Sequence, residues 1–201
     1  MGKRNDYIIA ALIGFVIGWL ALFPESHFGV HPTLAVIIVT VIGATAFVPL
    51  WLLWCSILGR RHCAIQDFGK FTAVGALNSF IDLGILNLFM LLTGISSGIF
   101  FVIAKTVAYI CASTNSYFFN KVWTFRSGAP ILKREYALFV ILSLIGAVVN
   151  VGVTAFVVQV IPRPMAVSGP LWANIASLVG TLILMIWNFF SYRTYVFTKQ
   201  Q

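Results

Sequence analysis

Six apolar runs, roughly residues 7–23, 33–58, 69–92, 99–120, 137–161 and 171–190, fill most of this chain and leave only short polar connections between them. Each is close to the ~20 apolar residues a helix needs to cross the hydrocarbon core of a bilayer. Backbone N–H and C=O groups in lipid must bond within the protein, so helices and closed barrels are the only spanning structures. The apolar residues do not alternate with period two, which disfavours a barrel. The runs therefore predict an all-α polytopic membrane protein with six transmembrane helices. A hydrophobic share of 60%, a charged share of 9% and a mean hydropathy of +0.98 agree with a membrane solvent.

The net charge of +8 invites a nucleic-acid reading, and the placement of the cations rejects it. Lys3 and Arg4 precede the first run; Arg60, Arg61 and Lys70 lie between the second and third. Lys121, Arg126, Lys133 and Arg134 lie between the fourth and fifth, and Arg193 and Lys199 close the chain. Only Arg163 falls in an alternate loop, and Lys105 lies inside a span. The positive-inside rule places both termini in the cytoplasm. The basic surface then faces lipid headgroups and phosphates, and no nucleic-acid partner is expected.

The first run starts on Lys-Arg, but Trp19-Leu20-Ala21-Leu22-Phe23-Pro24 has no small-x-small cleavage site, so an uncleaved helix is expected. Cys55 and Cys111 fall in spans and Cys63 in a loop, which suggests neither disulfide nor metal spacing, and His62 reads as a loop residue. No phosphate-cradling glycine loop and no catalytic triad order is visible. No cofactor, no metal and no enzymatic activity is expected, and an ATP-driven pump is disfavoured.

Two decapeptides set the internal organisation. Residues 116–125 read Ser-Tyr-Phe-Phe-Asn-Lys-Val-Trp-Thr-Phe, and 188–197 read Asn-Phe-Phe-Ser-Tyr-Arg-Thr-Tyr-Val-Phe. Lys121 aligns with Arg193, Trp123 with Tyr195 and Phe125 with Phe197. Upstream, Phe71 aligns with Phe139, Asp82 with Asn150, Gly84 with Gly152, and Ile103-Ala104 with Ile175-Ala176. The register shifts by four residues in the outer turn, where Pro162, Pro164 and Pro170 lengthen the second copy. A duplicated two-helix hairpin follows, a parallel repeat because both copies enter from the cytoplasm, with a working site between the halves. The expected division is an accessory N-terminal hairpin over 1–60 and a core over 61–201, with repeat one at 68–126 and repeat two at 136–198. The hairpin turns at Pro24–His27, restarts at His31-Pro32-Thr33, is bent by Pro49 and carries no internal charge.

Within the core, Asp82 and Lys105 are the one pair of opposite charges deep in the membrane. At about 1.5 Å per residue they lie ~15 and ~10 Å from the outer ends of consecutive helices. A mid-membrane charge costs at least ~2.5 kcal/mol. Three readings stay open: an ion pair locking two helices, a lysine snorkelling outward, or a direct role with an anionic substrate. Asn78, Asn87, Asn115, Asn120, Asn150, Asn174 and Asn188 read as interhelical glue worth about 0.6–2 kcal/mol each, or as donors and acceptors for sugar hydroxyls. Gly75 with Ser79 and Ser143 with Ala147 read as small pairs for close helix packing. Lys121 and Arg193, beside Trp123, Phe125, Tyr192, Tyr195 and Phe197, read as interfacial anchors or as two clamps on a lipid phosphate.

The segments Phe71-Thr72-Ala73-Val74-Gly75, Ile81-Asp82-Leu83-Gly84, Ala104-Lys105-Thr106-Val107-Ala108 and Phe119-Asn120-Lys121-Val122-Trp123-Thr124-Phe125 resemble the GtrA-like family over roughly 68–198. The resemblance does not extend to 1–60, and Ser191-Tyr192 stands where the first copy has Phe119-Asn120. It implies a multi-pass protein of the inner (plasma) membrane that flips a polyprenyl-phosphate-linked sugar to the outer leaflet for surface polysaccharide. Charge, depth and place in the repeat make Asp82, Lys105, Asn120, Lys121, Trp123, Asn150, Asn188 and Arg193 the candidate residues for binding such a lipid. Four core spans barely enclose a sugar-sized path, so a homo-oligomer, or a groove in which the acyl chain stays in lipid, is expected. Two other classes fit the same residues: a non-transporting scaffold for a polyprenyl-phosphate glycosyltransferase, and a small proton-coupled transporter using Asp82.

Overall fold

The computed structural model describes residues 3–27, 33–60, 63–94, 98–128, 130, 132–164 and 169–197. Six α-helices follow in order: α1 Lys3–His27, α2 Leu34–Leu58, α3 Cys63–Thr93, α4 Gly98–Phe119, α5 Lys133–Val160 and α6 Gly169–Ser191. A five-residue π-helical turn extends α4 (π1, Asn120–Thr124), and another extends α6 (π2, Tyr192–Val196). No strand occurs among the described residues. Of the described helices, α1 through α5 contain segments long and apolar enough to cross a membrane; α6 has 23 residues. His31, Pro32, Arg61, His62 and Lys199, named above, lie outside the described residues.

Helix limits depart from the apolar runs in an instructive way. α3 begins at Cys63, ahead of its run, and carries Gln66, Asp67 and Lys70 on its first turns. Helical hydrogen bonds propagate through polar residues as readily as through apolar ones. α1 continues through Pro24 to His27, so the turn expected at 24–27 is helix. Thr33 caps α2, its hydroxyl accepting from the Val36 N–H at 3.4 Å, and α2 runs on past Pro49. α5 stops where Ile161 takes an extended conformation (φ −84°, ψ 124°) ahead of Pro162.

The chain divides into two compact units, residues 1–126 and 127–201. In the first, α1 and α2 approach closely because Gly14 and Gly18 lack side chains. A Cβ on Gly14 would lie 2.2 Å from the Ala44 carbonyl oxygen, and one on Gly18 2.6 Å from Val41 Cα. Ala10, Ile13, Ile17, Val48, Leu52, Val74 and Leu77 form a core shared by α1, α2 and α3, closed by Trp123. The Trp51 indole N–H ties α2 to α3, donating to the Thr72 hydroxyl at 2.8 Å and the Gly69 carbonyl at 3.2 Å.

α3 and α4 pack through Leu86, Ala104 and Ala108, and Asn115 donates to Asn78 at 2.8 Å as interhelical glue. Asn87 instead bonds the Leu83 carbonyl of its own helix, which corrects the glue reading at that position. In the second unit, Gly146 and Gly180 bring α5 and α6 together. The small pair at Gly75 does not play that part: a Cβ there would meet no atom within 4 Å.

Candidate functional site

Asp82 and Lys105 meet. α3 and α4 are consecutive antiparallel helices, and Ala104 and Ala108 are small enough to let them close, so the Lys105 ammonium donates to Asp82 Oδ2. The other carboxylate oxygen, Oδ1, is buried and carries no hydrogen bond. The Lys105 side chain stays 44% exposed and that of Asp82 22%.

At the far end of α4 the backbone widens into π1, closed by the Phe125 N–H donating to the Asn120 carbonyl at 2.8 Å. π-turns inserted in α-helices often mark functional sites. Asn120, Lys121, Trp123 and Thr124 of this turn are all buried. Asn120 donates to the Ser116 hydroxyl at 3.2 Å, while its Oδ1 is without a partner. The Lys121 ammonium lies 5.9 Å from the centre of the Tyr117 ring, within cation–π range. With only 3% of its surface exposed, Lys121 is not the water-facing clamp the sequence suggests. Lys121 lies four residues after the buried Tyr117, on the face of α4 that is covered.

π2 has the same internal geometry. The Phe197 N–H donates to the Tyr192 carbonyl at 2.8 Å, and Arg193 lies 5.9 Å from the Phe189 ring. Phe139 and Phe197 are 6.3 Å apart, as Phe71 and Phe125 are 6.4 Å apart. Tyr192 pairs with the Ser143 hydroxyl at 2.5 Å. Asn150 donates to Thr181 at 3.4 Å, and Asn188 presents a buried Oδ1 with no bond.

The strongest polar cluster was not legible in the sequence. Asp6, on the first turns of α1, receives three donors: the Lys70 ammonium at 2.8 Å and Arg126 Nη2 at 2.6 Å on Oδ2, and the Trp123 indole N–H at 3.1 Å on Oδ1. Lys70 also lies 5.6 Å over the Trp123 ring. Arg126 reaches back from a left-handed backbone (φ +52°), an uncommon conformation for a residue with a side chain. The apolar runs of the hairpin hold no charge, as the sequence indicates, and the cluster forms just ahead of the first of them. Asp6 lies one residue before the first apolar run, and its partners are 64 to 120 positions away. The one available signal was an acid among the first cations, in a chain with only five Asp and Glu.

A family model for the GtrA/DPMS transmembrane domain matches residues 70–197, well over half of the chain. The chain belongs to that family. No curated protein and no solved structure shows a significant match. GtrA/DPMS membership makes this a multi-pass membrane protein of a family tied to lipid-linked sugars and generally non-enzymatic. In this GtrA/DPMS chain, Lys70, Trp123 and Arg126 of the cluster belong to the matched region, whereas Asp6 precedes it. One carboxylate thus pins the N-terminal helix to the family domain. Beside it, an apolar groove of about 410 Å³ runs along Ile9, Leu12 and Val16 of α1 to Phe118, Val122 and Trp123.

Proposed function

We propose that this protein moves a polyprenyl-phosphate-linked sugar from the cytoplasmic to the outer leaflet, supplying the glycosylation of surface polysaccharide. The observation that carries the reading is the GtrA/DPMS match over 70–197. The two π-turns, each seating one cation on an aromatic ring with the same spacing, support descent from a duplicated hairpin. In this reading Lys121 and Arg193 attract the lipid phosphate, and Trp123 borders its path. Asn120, Asn150 and Asn188 bind sugar hydroxyls, and the Asp82–Lys105 pair opens to let the phosphate pass. The unbonded Oδ1 atoms of Asn120 and Asp82 support such a role, because a buried acceptor without a donor costs about 1–3 kcal/mol and a ligand hydroxyl relieves it.

The energetics need no ATP. A phosphodiester carries one negative charge, and an inside-negative potential favours its outward passage by about 2.3 kcal/mol per 100 mV. The protein resides in the inner membrane as a homo-oligomer with cytoplasmic termini, its helix ends carrying Arg126 on the cytoplasmic side and Arg163 outside.

Reconstitution into sealed liposomes with a labelled polyprenyl-phosphate sugar tests the reading. Label becoming accessible in the opposite leaflet only in proteoliposomes is expected, and the Lys121→Gln, Arg193→Gln double variant slows it at least tenfold. Equal accessibility with and without protein overturns it in favour of a glycosyltransferase scaffold. A strict requirement for a pH gradient would instead make Asp82 a proton site.

A further inference from the structure

One cavity in the first unit differs from its neighbours in chemistry. About 290 Å³ in volume, it opens between α1, α2 and α3, and its polar lining is Asp6, Tyr7, Ser56, Arg60, Gln66 and Lys70. Two larger cavities of the same unit, about 410 and 360 Å³, are lined almost wholly by apolar side chains. Small-molecule sites span ~300–1,000 Å³, so this volume suits a headgroup and not a whole lipid.

The charges around it do not cancel. Lys70 and Arg126 both engage Asp6. Asp67, one turn before Lys70 on α3, also acts on that ammonium. Arg60 faces the cavity and makes no ion pair among the described residues. Among the described residues of the cavity and the Asp6 cluster, three cations against two carboxylates leave one positive charge, which a monoanion neutralises. Lys70 is 94% buried by the helices around it (6% exposed), so its field is poorly screened on the cavity side. The Tyr7 and Ser56 hydroxyls, 3.2 Å apart, and the Gln66 side-chain amide add neutral donors and acceptors on the same wall.

We propose that this cavity binds the headgroup of a monoanionic phosphodiester lipid bearing hydroxyls. Arg60 and Lys70 face the phosphate, and Tyr7, Ser56 and Gln66 face the sugar or polyol. Every one of these residues except Lys70 precedes the matched region 70–197, so the site forms where the N-terminal hairpin meets the start of α3. The proposal does not require transport: a headgroup docks here whether or not the protein moves it, so a negative flipping assay leaves it standing. Two lipids share the chemistry, a polyprenyl-phosphate sugar and a glycerophospholipid with a polyol head, and the test separates them.

Native mass spectrometry of the purified full-length protein in detergent measures binding of three probes: a twenty-carbon polyprenyl-phosphate glucose, phosphatidylglycerol, and net-neutral phosphatidylcholine. Arg60→Gln is expected to weaken the anionic probes five- to tenfold, and Ser56→Phe, which fills the cavity, to abolish their site-specific binding. Arg163→Gln removes a charge elsewhere and should change affinity less than twofold. Losing the sugar lipid alone identifies the site with the transported class, losing phosphatidylglycerol alone identifies a lipid of the surrounding bilayer, and either result sustains the proposal. It is overturned if the wild type prefers neither anionic probe over phosphatidylcholine, or if Arg60→Gln binds both like the wild type. Because Arg60 is exposed and makes no ion pair among the described residues, that variant decides the matter even if Ser56→Phe fails to fold.

Discussion

Replacing Asp6 with asparagine isolates the energetics of the buried charge cluster. The substitution keeps the shape and leaves an amide oxygen for the Trp123 indole, but removes the negative charge from between two cations. The two cations respond differently. The Lys70 side chain is 8% exposed and cannot regain water in place, whereas that of Arg126 is 44% exposed and can. Breaking a buried pair by deleting one partner costs about 3–5 kcal/mol, because the remaining charge is stranded. An exposed pair contributes about 0–1 kcal/mol. Asp6→Asn should therefore destabilise by about 3–5 kcal/mol, nearly all of it through Lys70. Asp6→Ala should cost about 1–3 kcal/mol more, since the buried indole N–H loses its acceptor. Arg126→Gln should stay below about 1 kcal/mol. The Asp6→Asn, Lys70→Met double variant should recover most of the loss, because apolar replacement of a whole buried pair is near neutral or favourable. Reversible unfolding in mixed dodecyl-maltoside and SDS micelles, followed by far-UV circular dichroism, orders the four variants. The reasoning is refuted if Asp6→Asn lies within about 0.5 kcal/mol of wild type, the range of an ordinary surface change, or if Arg126→Gln costs more than Asp6→Asn.

Two further outcomes follow from the same physics. Asp82→Asn and Lys105→Gln should each lower the unfolding midpoint, and the double variant should melt above the worse single one, since it leaves no lone charge between α3 and α4; a double variant at the sum of both losses would show that the two residues do not share one interaction. Gly14→Ala should destabilise by about 1–3 kcal/mol, because its Cβ meets the Ala44 backbone, whereas Gly43→Ala, with nothing within 4 Å, should be tolerated; equal midpoints for the two would contradict the close α1–α2 approach.

The Asp82–Lys105 contact was legible in advance because two charges in apolar runs of consecutive antiparallel helices have few other partners, and depth follows from counting residues. The paired decapeptides were legible as well, but their conformation was not. The π-turns leave no mark in hydropathy, and the burial of Lys121 over Tyr117 could not be read from its place at the end of an apolar run. The Asp6 cluster was hidden for a different reason. Its ion pairs span 64 to 120 positions, and only the packing of α1 against α3 and the return of the chain after π1 bring them within 3 Å.

By itself, then, the sequence determined the solvent, the all-helical class, the family core and the one charge pair within a helical hairpin. All of these depend on local composition, and lipid leaves the backbone almost no alternative to helix. Tertiary structure decided which face of each helix is covered, and so which cations are buried, which carboxylate holds the N-terminal helix to the family domain, and where a polar cavity opens. Those outcomes depend on how closely glycines let helices approach and on which distant segments then meet, and neither is written in the periodicity of the chain.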